Sequence, residues 1–366
     1  MIVASPDKKT VAVGMSGGID STVAAWLLKE EGYAVVGLTM KIWDGSIACD
    51  AVRSGCYGPN EVSDIADAQR AAERLGIQHH VMDLCGEYRQ TVLAYFSDEY
   101  AGGRTPNPCV VCNSRIKFGS LIEKALSSGV GFDLFATGHY ARISYDERTA
   151  RYLLMRGIDN SKDQSYFLHR LSQEQLARVL FPLGGYRKEE VKAMAVKAGF
   201  TEYLEKPESQ DFLEWDDYGT LLKEPARPGN IVDPDGNVIG THRGIAFYTV
   251  GQRRTLGLAG MKEPFYVLTI NAERNEIVAG PRKHLMSDGL TAGDMNWIVP
   301  VGLVPSRPVT VKIRSTAPPV PCEVAAGPGN TVEVRFTDPQ ESVTPGQSVV
   351  FYADDIVVGG GTIRKT

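Results

Sequence analysis

The sequence predicts an α/β protein, a doubly wound parallel sheet followed by a small central domain and a C-terminal β-barrel. Three observations predict it. Short apolar strands alternate with amphipathic helices from Val11 to Gly199, the pattern of parallel strands with helices on both faces. From about Tyr203 the helices give way to short strands between Gly, Pro and Asp turns, such as Asp233-Pro234-Asp235-Gly236 and Pro345-Gly346. A glycine-rich turn joins the first strand to the first helix, where an open sheet places its ligand.

In order, Val11–Val13 reads as a buried strand and Gly14–Gly18 as a loop. Ile19 opens a helix with Val23, Leu27 and Leu28 on one face and Gly32 at the left-handed cap position. Tyr33–Met40 is the second strand, and Ile42–Asn60 is irregular, with Cys49 and Cys56 in it. Ser63 begins a helix with Ile65, Ala68, Ala72 and Leu75 at helical spacing, closed by Gly76. His80–Leu84 reads as a strand, and a helix follows over about Tyr88–Tyr100. Gly102–Asn113 reads as a Pro-bearing loop before a helix carrying Ile116, Leu121, Ile122 and Ala125. Asp133–Thr137 is a further strand, and Lys188–Ala198 the last clear helix. Alternation in Val309–Ile313, Val332–Phe336 and Val349–Tyr352 suggests the barrel. Boundaries are expected near 204 and 283, giving domains 1–203, 204–282 and 283–366.

At 366 residues the chain has room for two or three domains. Its 43% apolar and 23% charged content is that of an ordinary globular protein. The net charge of −5 means that a nucleic acid would be met by local basic patches. Nothing in the sequence reads as a membrane span or as the apolar core of a signal peptide. The six scattered Cys read as free thiols of a reducing cytosol, so a cytoplasmic location is expected, with no membrane partner.

The turn Gly14-Met15-Ser16-Gly17-Gly18 suits a phosphate. Glycines let the backbone approach a ligand with its N–H groups inward, and the helix adds unpaired N–H groups and the positive end of its dipole. It lacks the Lys of the kinase-type P-loop and the spacing of G-x-G-x-x-G. What remains, SGGIDS from Ser16 to Ser21, resembles the pyrophosphate loop of the ATP-pyrophosphatase (PP-loop) superfamily, whose members split ATP to adenylate a substrate. Asp20 either helps hold a Mg²⁺ or caps the helix. Met40, at a strand end, suits an adenine ring or the core.

The second informative stretch is TPNPCVVCN, Thr105–Asn113. Cys112 is expected just before a helix, where a thiol is acidified. Cys109-x-x-Cys112 alone fits a redox pair, metal ligands or a catalytic thiol. No second CxxC supports a closed zinc site.

GMSGGIDS, TPNPxxxCN, ATGHYAR (Ala136–Arg142), KDQSYFL (Lys162–Leu168) and YTVGQRRTLGL (Tyr248–Leu258) occur in this order. Together they resemble the bacterial tRNA-specific 2-thiouridylases, over nearly the whole chain. The resemblance implies ATP-dependent conversion of the tRNA wobble uridine to 2-thiouridine. It also implies a PP-loop (adenine nucleotide alpha hydrolase-like) domain, a tRNA-contacting central domain and a C-terminal barrel. By position, Gly14, Met15, Ser16, Gly17, Gly18, Ile19, Asp20, Ser21, Met40 and Gly138 would bind ATP. Asn107, Pro108 and Cys109 would face the target base, with Cys112 as nucleophile. His139, Lys162, Asp163, Gln164, Arg314, Ser315 and Gln347 would touch tRNA, although His139 also reads as a satisfied core histidine. Partners implied are tRNA and a sulfur-donor protein or sulfide; a monomer is expected.

The chain departs from the family pattern twice. Cys109 stands where better-known members have Asp, and Leu213 where they have a second catalytic Cys. The usual hand-over of persulfide sulfur between two distant cysteines therefore cannot run unchanged. Either Cys109 and Cys112 form the pair, or they hold a [4Fe-4S] cluster with Cys56 or Cys49, leaving one iron free for sulfide. Cys56, in Gly55–Pro59, reads as lying in a turn; Cys85 and Cys322 read as structural thiols. Two other readings remain: a small-molecule PP-loop ligase, which leaves the Cys loop unexplained, and a non-catalytic tRNA-binding or iron–sulfur carrier, which leaves the intact SGGIDS unexplained.

Overall fold

The computed structural model describes residues 9–47, 49–207, 211–258, 260–299 and 308–365. They form two compact units. The first runs up to Thr91 and includes Cys109–Asp216 and Asp355–Val357; the second comprises Val92–Pro108, Asp217–Asp354 and Val358 onward.

The first unit is built on a parallel sheet. Its strands are β1 (Thr10–Gly14), β2 (Ala34–Lys41), β4 (Gln78–Asp83), β5 (Leu134–Thr137) and β8 (Val179–Leu180). The order across the sheet is β4-β2-β1-β5-β8, so the winding reverses between β1 and β5. That is the doubly wound arrangement expected, and it opens a crevice at the carboxyl ends of β1 and β5. Val11, Ala12 and Val13 are fully buried because helices cover both faces. Helix α1 (Ile19–Glu30) packs Val23, Ala24, Leu27 and Leu28 into a core shared with Val191 and Ala195 of the helix Lys188–Lys197. Helix α2 (Glu61–Leu75) buries Ala68, Ala71, Ala72 and Leu75 and ends on Gly76 in the left-handed conformation.

Four details differ from the sequence reading. Helix α2 begins at Glu61 rather than Ser63. The helix expected over Tyr88–Tyr100 runs Cys85–Ala101, with a π segment at Arg89–Leu93. Helical structure also begins at Pro108, inside the expected loop: α-helix Pro108–Val111, π-helix Cys112–Ser120, α-helix Leu121–Ser127. Pro suits the first position of a helix because its missing N–H has no partner there anyway. Cys56 lies in a short strand, β3 (Gly55–Tyr57), paired in parallel with β9 (Asp211–Leu213). Ser209 and Gln210, used to align Leu213, lie outside the described residues.

In the second unit, Val238–His242, Gly229–Val232, Glu276–Pro281 and Phe265–Asn271 form a four-stranded sheet over Ile231, Tyr248, Val267 and Ile277. The strands Met286–Trp297, Val332–Glu341, Val320–Ala326, Thr310–Lys312, Ser348–Ala353 and Ile356–Lys365 follow one another around a barrel. It closes where Met286–Trp297 pairs with both Val332–Glu341 and Ile356–Lys365. Val311, Val349, Phe351 and Ile363 fill its interior.

Candidate active site

The SGGIDS segment has the shape that its glycines foretell. Gly17 has φ +72°, and a Cβ there would lie 2.3 Å from the Asp64 carbonyl oxygen, so only glycine fits. Gly18 precedes helix α1 in extended backbone, and the Ser21 hydroxyl accepts from Ser16 N at 3.2 Å and donates to Gly18 O at 3.1 Å. Ser16 is exposed. Met15 is buried, with its N–H on Leu38 O at 2.8 Å, and Met40 is half-buried at the end of β2. A Cβ on Gly138 would meet the Asp20 carbonyl carbon and Ser21 N at 2.8 Å, so this glycine lets the end of β5 close on the first turn of α1.

Asp20 neither caps the helix nor stands open to a cation. Both carboxylate oxygens lie 2.8 Å from Lys188 Nζ, and Tyr140 donates its hydroxyl to Oδ1 at 2.9 Å. For a Mg²⁺ the residues as placed do not fit through Asp20. Lys206 is a loop contact that the sequence reading missed. Its ammonium reaches Gly17 O at 3.1 Å, Asp64 Oδ1 at 2.7 Å, and Asp67. The signal was there, since Lys206 opens KPESQDF.

Cys109 and Cys112 lie one turn apart on the helical stretch from Pro108. Cys112 is inside the helix, not before it. Burial pushes its thiol up to about 11 and that of Cys109 up to about 12, against the acidification expected from a helix start. Cys56 joins them: its charge acts on both thiols, and all three act on Tyr88. Cys56 is solvent-exposed and the other two are half-buried, yet all three are raised chiefly by desolvation. Tyr88, on which the thiols act, belongs to an aromatic cluster with Trp43, Tyr57 and Trp215, Tyr57 stacking on Tyr88 at 5.3 Å. Among the described residues no three His, Cys, Asp or Glu are placed to hold a metal ion, so Cys56, Cys109 and Cys112 as they stand do not form a cluster site. Cys49 is half-buried, and the charges that act on its thiol are those of Glu214 and Asp50.

The residues expected to touch tRNA are largely committed to the fold. His139 is buried, hydrogen-bonded to Thr137 Oγ1 at 2.7 Å and set between the rings of Phe118 and Phe181, so burial holds it neutral. Gln164 clasps Tyr140, accepting from its N–H and donating to its carbonyl, both at 2.9 Å. Asp163 accepts from Gly157 N and Ser165 N. Lys162 is half-buried. In the second unit, Arg314 binds the Ser342 carbonyl, and Ser315 is half-buried. Gln347 donates to Thr105 O at 3.2 Å and Pro106 O at 3.0 Å, while Asn107 N donates to the Tyr95 hydroxyl at 3.1 Å. Gln347 thus fixes the loop before Pro108.

Three family models match in series. One described as a tRNA methyl transferase HUP domain covers residues 9–213, a PRC-barrel domain 221–281, and an aminomethyltransferase β-barrel domain 287–363. The tRNA-specific 2-thiouridylase MnmA of Geotalea uraniireducens is 47% identical, over 99% of this chain and 97% of its own. That of Endomicrobium trichonymphae is 46% identical, over 96% of this chain and 98% of its own. The chain belongs to the tRNA-specific 2-thiouridylase family. Membership makes it, by class, a tRNA sulfurtransferase. The small-molecule ligase reading falls away, because these 2-thiouridylases match across the β-rich half as well as the phosphate loop.

Proposed function

We propose that the chain adenylates the C2 oxygen of a tRNA wobble uridine with ATP and replaces that oxygen with sulfur carried on Cys112, with Cys109 releasing the product. The observation that supports this best is where the Cys helix lies. The ring of Phe118, on the π segment that begins at Cys112, is 5.9 Å from that of His139, which follows β5 and Gly138. The helical stretch that begins with the thiols therefore packs beside the end of β5, the strand next to the one that carries SGGIDS. Residues 1–203 would carry this chemistry, 204–282 would contact tRNA, and 283–366 would form the barrel.

In this reading the target base leaves its stack, at a cost of a few kcal/mol, to reach Asn107, Pro108 and Cys109. Its C2 oxygen attacks the α-phosphorus of ATP, and the N–H groups of the glycine turn and the first turn of α1, from Gly17 to Ser21, hold the departing pyrophosphate. The terminal sulfur of a Cys112 persulfide then attacks C2, and AMP leaves with the former C2 oxygen. Cys109 attacks Cys112 Sγ, breaking the S–S bond to the base. The products are 2-thiouridine and a Cys109–Cys112 disulfide. A thiol reductant reopens it before a sulfur-donor protein passes the outer sulfur of its own persulfide to Cys112; free sulfide would instead reload the site by attacking the disulfide at Cys112 Sγ, leaving a Cys112 persulfide and a Cys109 thiol.

A second reading adds Cys56 and a [4Fe-4S] cluster; the mutual influence of the three thiols favours it, and the missing ligand geometry does not. Mg²⁺ would accompany ATP with ligands other than Asp20 as now placed. The partners are tRNA and the sulfur donor, the protein acts as a monomer, and the place is the cytoplasm. Among the described residues no helix is long and apolar enough to cross a membrane.

The test is Cys112→Ala assayed for tRNA-dependent pyrophosphate release and for thionucleoside in digested tRNA. Release should persist and thionucleoside vanish; thiolation that survives removes Cys112 from the role. Iron and sulfide counts on anaerobically prepared protein separate the two sulfur carriers.

A further inference from the structure

The π-helix Cys112–Ser120 has nine residues, long for a form that usually occurs as a single widened turn, often at functional sites. In a regular α-helix residue i+5 is rotated roughly 140° away from residue i. The i→i+5 ladder of a π-helix instead stacks them, and here residue i is Cys112 and residue i+5 is Lys117. Lys117 is half-buried, and among the described residues it makes no ion pair and no side-chain hydrogen bond. An ammonium partly withdrawn from water with no counter-charge beside it suits a place where an anion arrives. Among the described residues its charge acts on Cys56, Cys109, Cys112 and His139. Of these His139 is buried and neutral, and the three thiols are neutral until they lose a proton, so a negative charge that Lys117 could meet forms only when a sulfur there becomes an anion.

We propose that Lys117 is the positioning residue of sulfur transfer, its ammonium holding the anionic sulfur on Cys112 through the i→i+5 register of the π-helix. This rests on the reading that Cys109 and Cys112 carry the sulfur. The site takes a small sulfur anion, a persulfide or hydrosulfide. The π-helix is then the device that places the charge. Reverting it to α would swing Lys117 away from the thiols.

The charge can be read without reference to how far each thiol is ionised. Alkylation by anionic iodoacetate and by neutral iodoacetamide consumes the same thiolate, so the ratio of the two rates reports local potential alone. The rates are measured for Cys109 and Cys112 by peptide mass in the full chain at one pH. Cys322, on which Lys117 has no influence, serves as internal reference. In Lys117→Met and Lys117→Gln the ratio should fall about threefold to fivefold, the effect of one unit charge a few ångströms away in water. Lys117→Arg should restore it. Thionucleoside formation should follow the same pattern, while tRNA-dependent pyrophosphate release stays within about twofold. An unchanged ratio in both neutral variants overturns the proposal, as does a loss of pyrophosphate release equal to the loss of thiolation. Failure of the underlying reading looks different: thiolation would then survive in Cys112→Ala, whatever the alkylation ratio shows.

Discussion

Asp20 and Lys188 are locked together, both carboxylate oxygens 2.8 Å from Nζ, at the helix start that follows the phosphate loop. Lys188 is buried and Asp20 only partly exposed, so solvent screens the pair weakly. The pair ties the first turn of α1 to the helix Lys188–Lys197, 168 residues later, and so fixes the direction in which Ser16–Ser21 presents its N–H groups.

Removing the cation leaves that carboxylate with only the Tyr140 hydroxyl. Lys188→Met is expected to cost about 3 kcal/mol, the scale for breaking a buried pair from one side. Urea denaturation measures it, and a change below about 0.5 kcal/mol would show that the contact is incidental. Asp20→Asn should cost less, because it leaves an amide able to accept from Lys188.

Gly17 allows a sharper test of the loop. Gly17→Ala combines φ +72°, about 1–2 kcal/mol for a residue with a Cβ, with a 2.3 Å approach to the backbone oxygen of Asp64. The loop has to move, and Lys206, which bonds the Gly17 carbonyl, moves with it. ATP affinity should drop about tenfold or more, equivalent to roughly 1.4 kcal/mol. Titration of a fluorescent ATP analogue reads the result, and unchanged affinity would mean that nucleotide does not use this turn.

The sheet and this loop were legible in the sequence because their signals are local. Val11–Val13, the glycines and the periodicity of Val23, Leu27 and Leu28 each act through near neighbours. Gly32 and Gly76 both take the positive φ expected of them. What was illegible depends on partners far along the chain. Cys56 is in a strand only because Asp211–Leu213 pairs with it, and Asp20 faces Lys188 only in the folded chain. The start at Pro108 was misread because two prolines look like a loop, although one of them suits a first helical position. The π register could not be read at all, since periodicity distinguishes helix from strand but not an i→i+4 ladder from an i→i+5 one.

Gln347 separates a tRNA contact from a loop support. Its amide bonds the carbonyls of Thr105 and Pro106, beside Thr105 N on Pro345 O at 2.9 Å. In Gln347→Ala two carbonyls lose a donor, a penalty of about 1 kcal/mol. Amide exchange at Thr105 and Asn107 should quicken severalfold while tRNA affinity changes by less than about twofold. A large loss of affinity with unaltered exchange would return Gln347 to the RNA interface.

Acid sensitivity should come from buried imidazoles. His169 is fully buried with Nδ1 on Tyr166 O at 2.8 Å, and burial lowers it from 6.5 to about 3. His139 is displaced in the same direction. A base whose folded pKa is depressed takes up a proton on unfolding, so its neutral form supports the fold above pH 6.5 and that support is lost as pH falls toward 3. Glu61 opposes this: burial raises it to about 7, so the native state holds a proton there that the unfolded chain releases above about 4.5. The clean observable is therefore a difference between two proteins that share Glu61 and His139. His169→Gln should be less stable than the unsubstituted chain at pH 7.5. Below pH 6.5 its deficit should shrink by about 1.4 kcal/mol per pH unit, because only the unsubstituted chain must keep that imidazole uncharged. Denaturant titrations from pH 7.5 to 5 give the two curves. Parallel curves would mean that His169 titrates alike folded and unfolded.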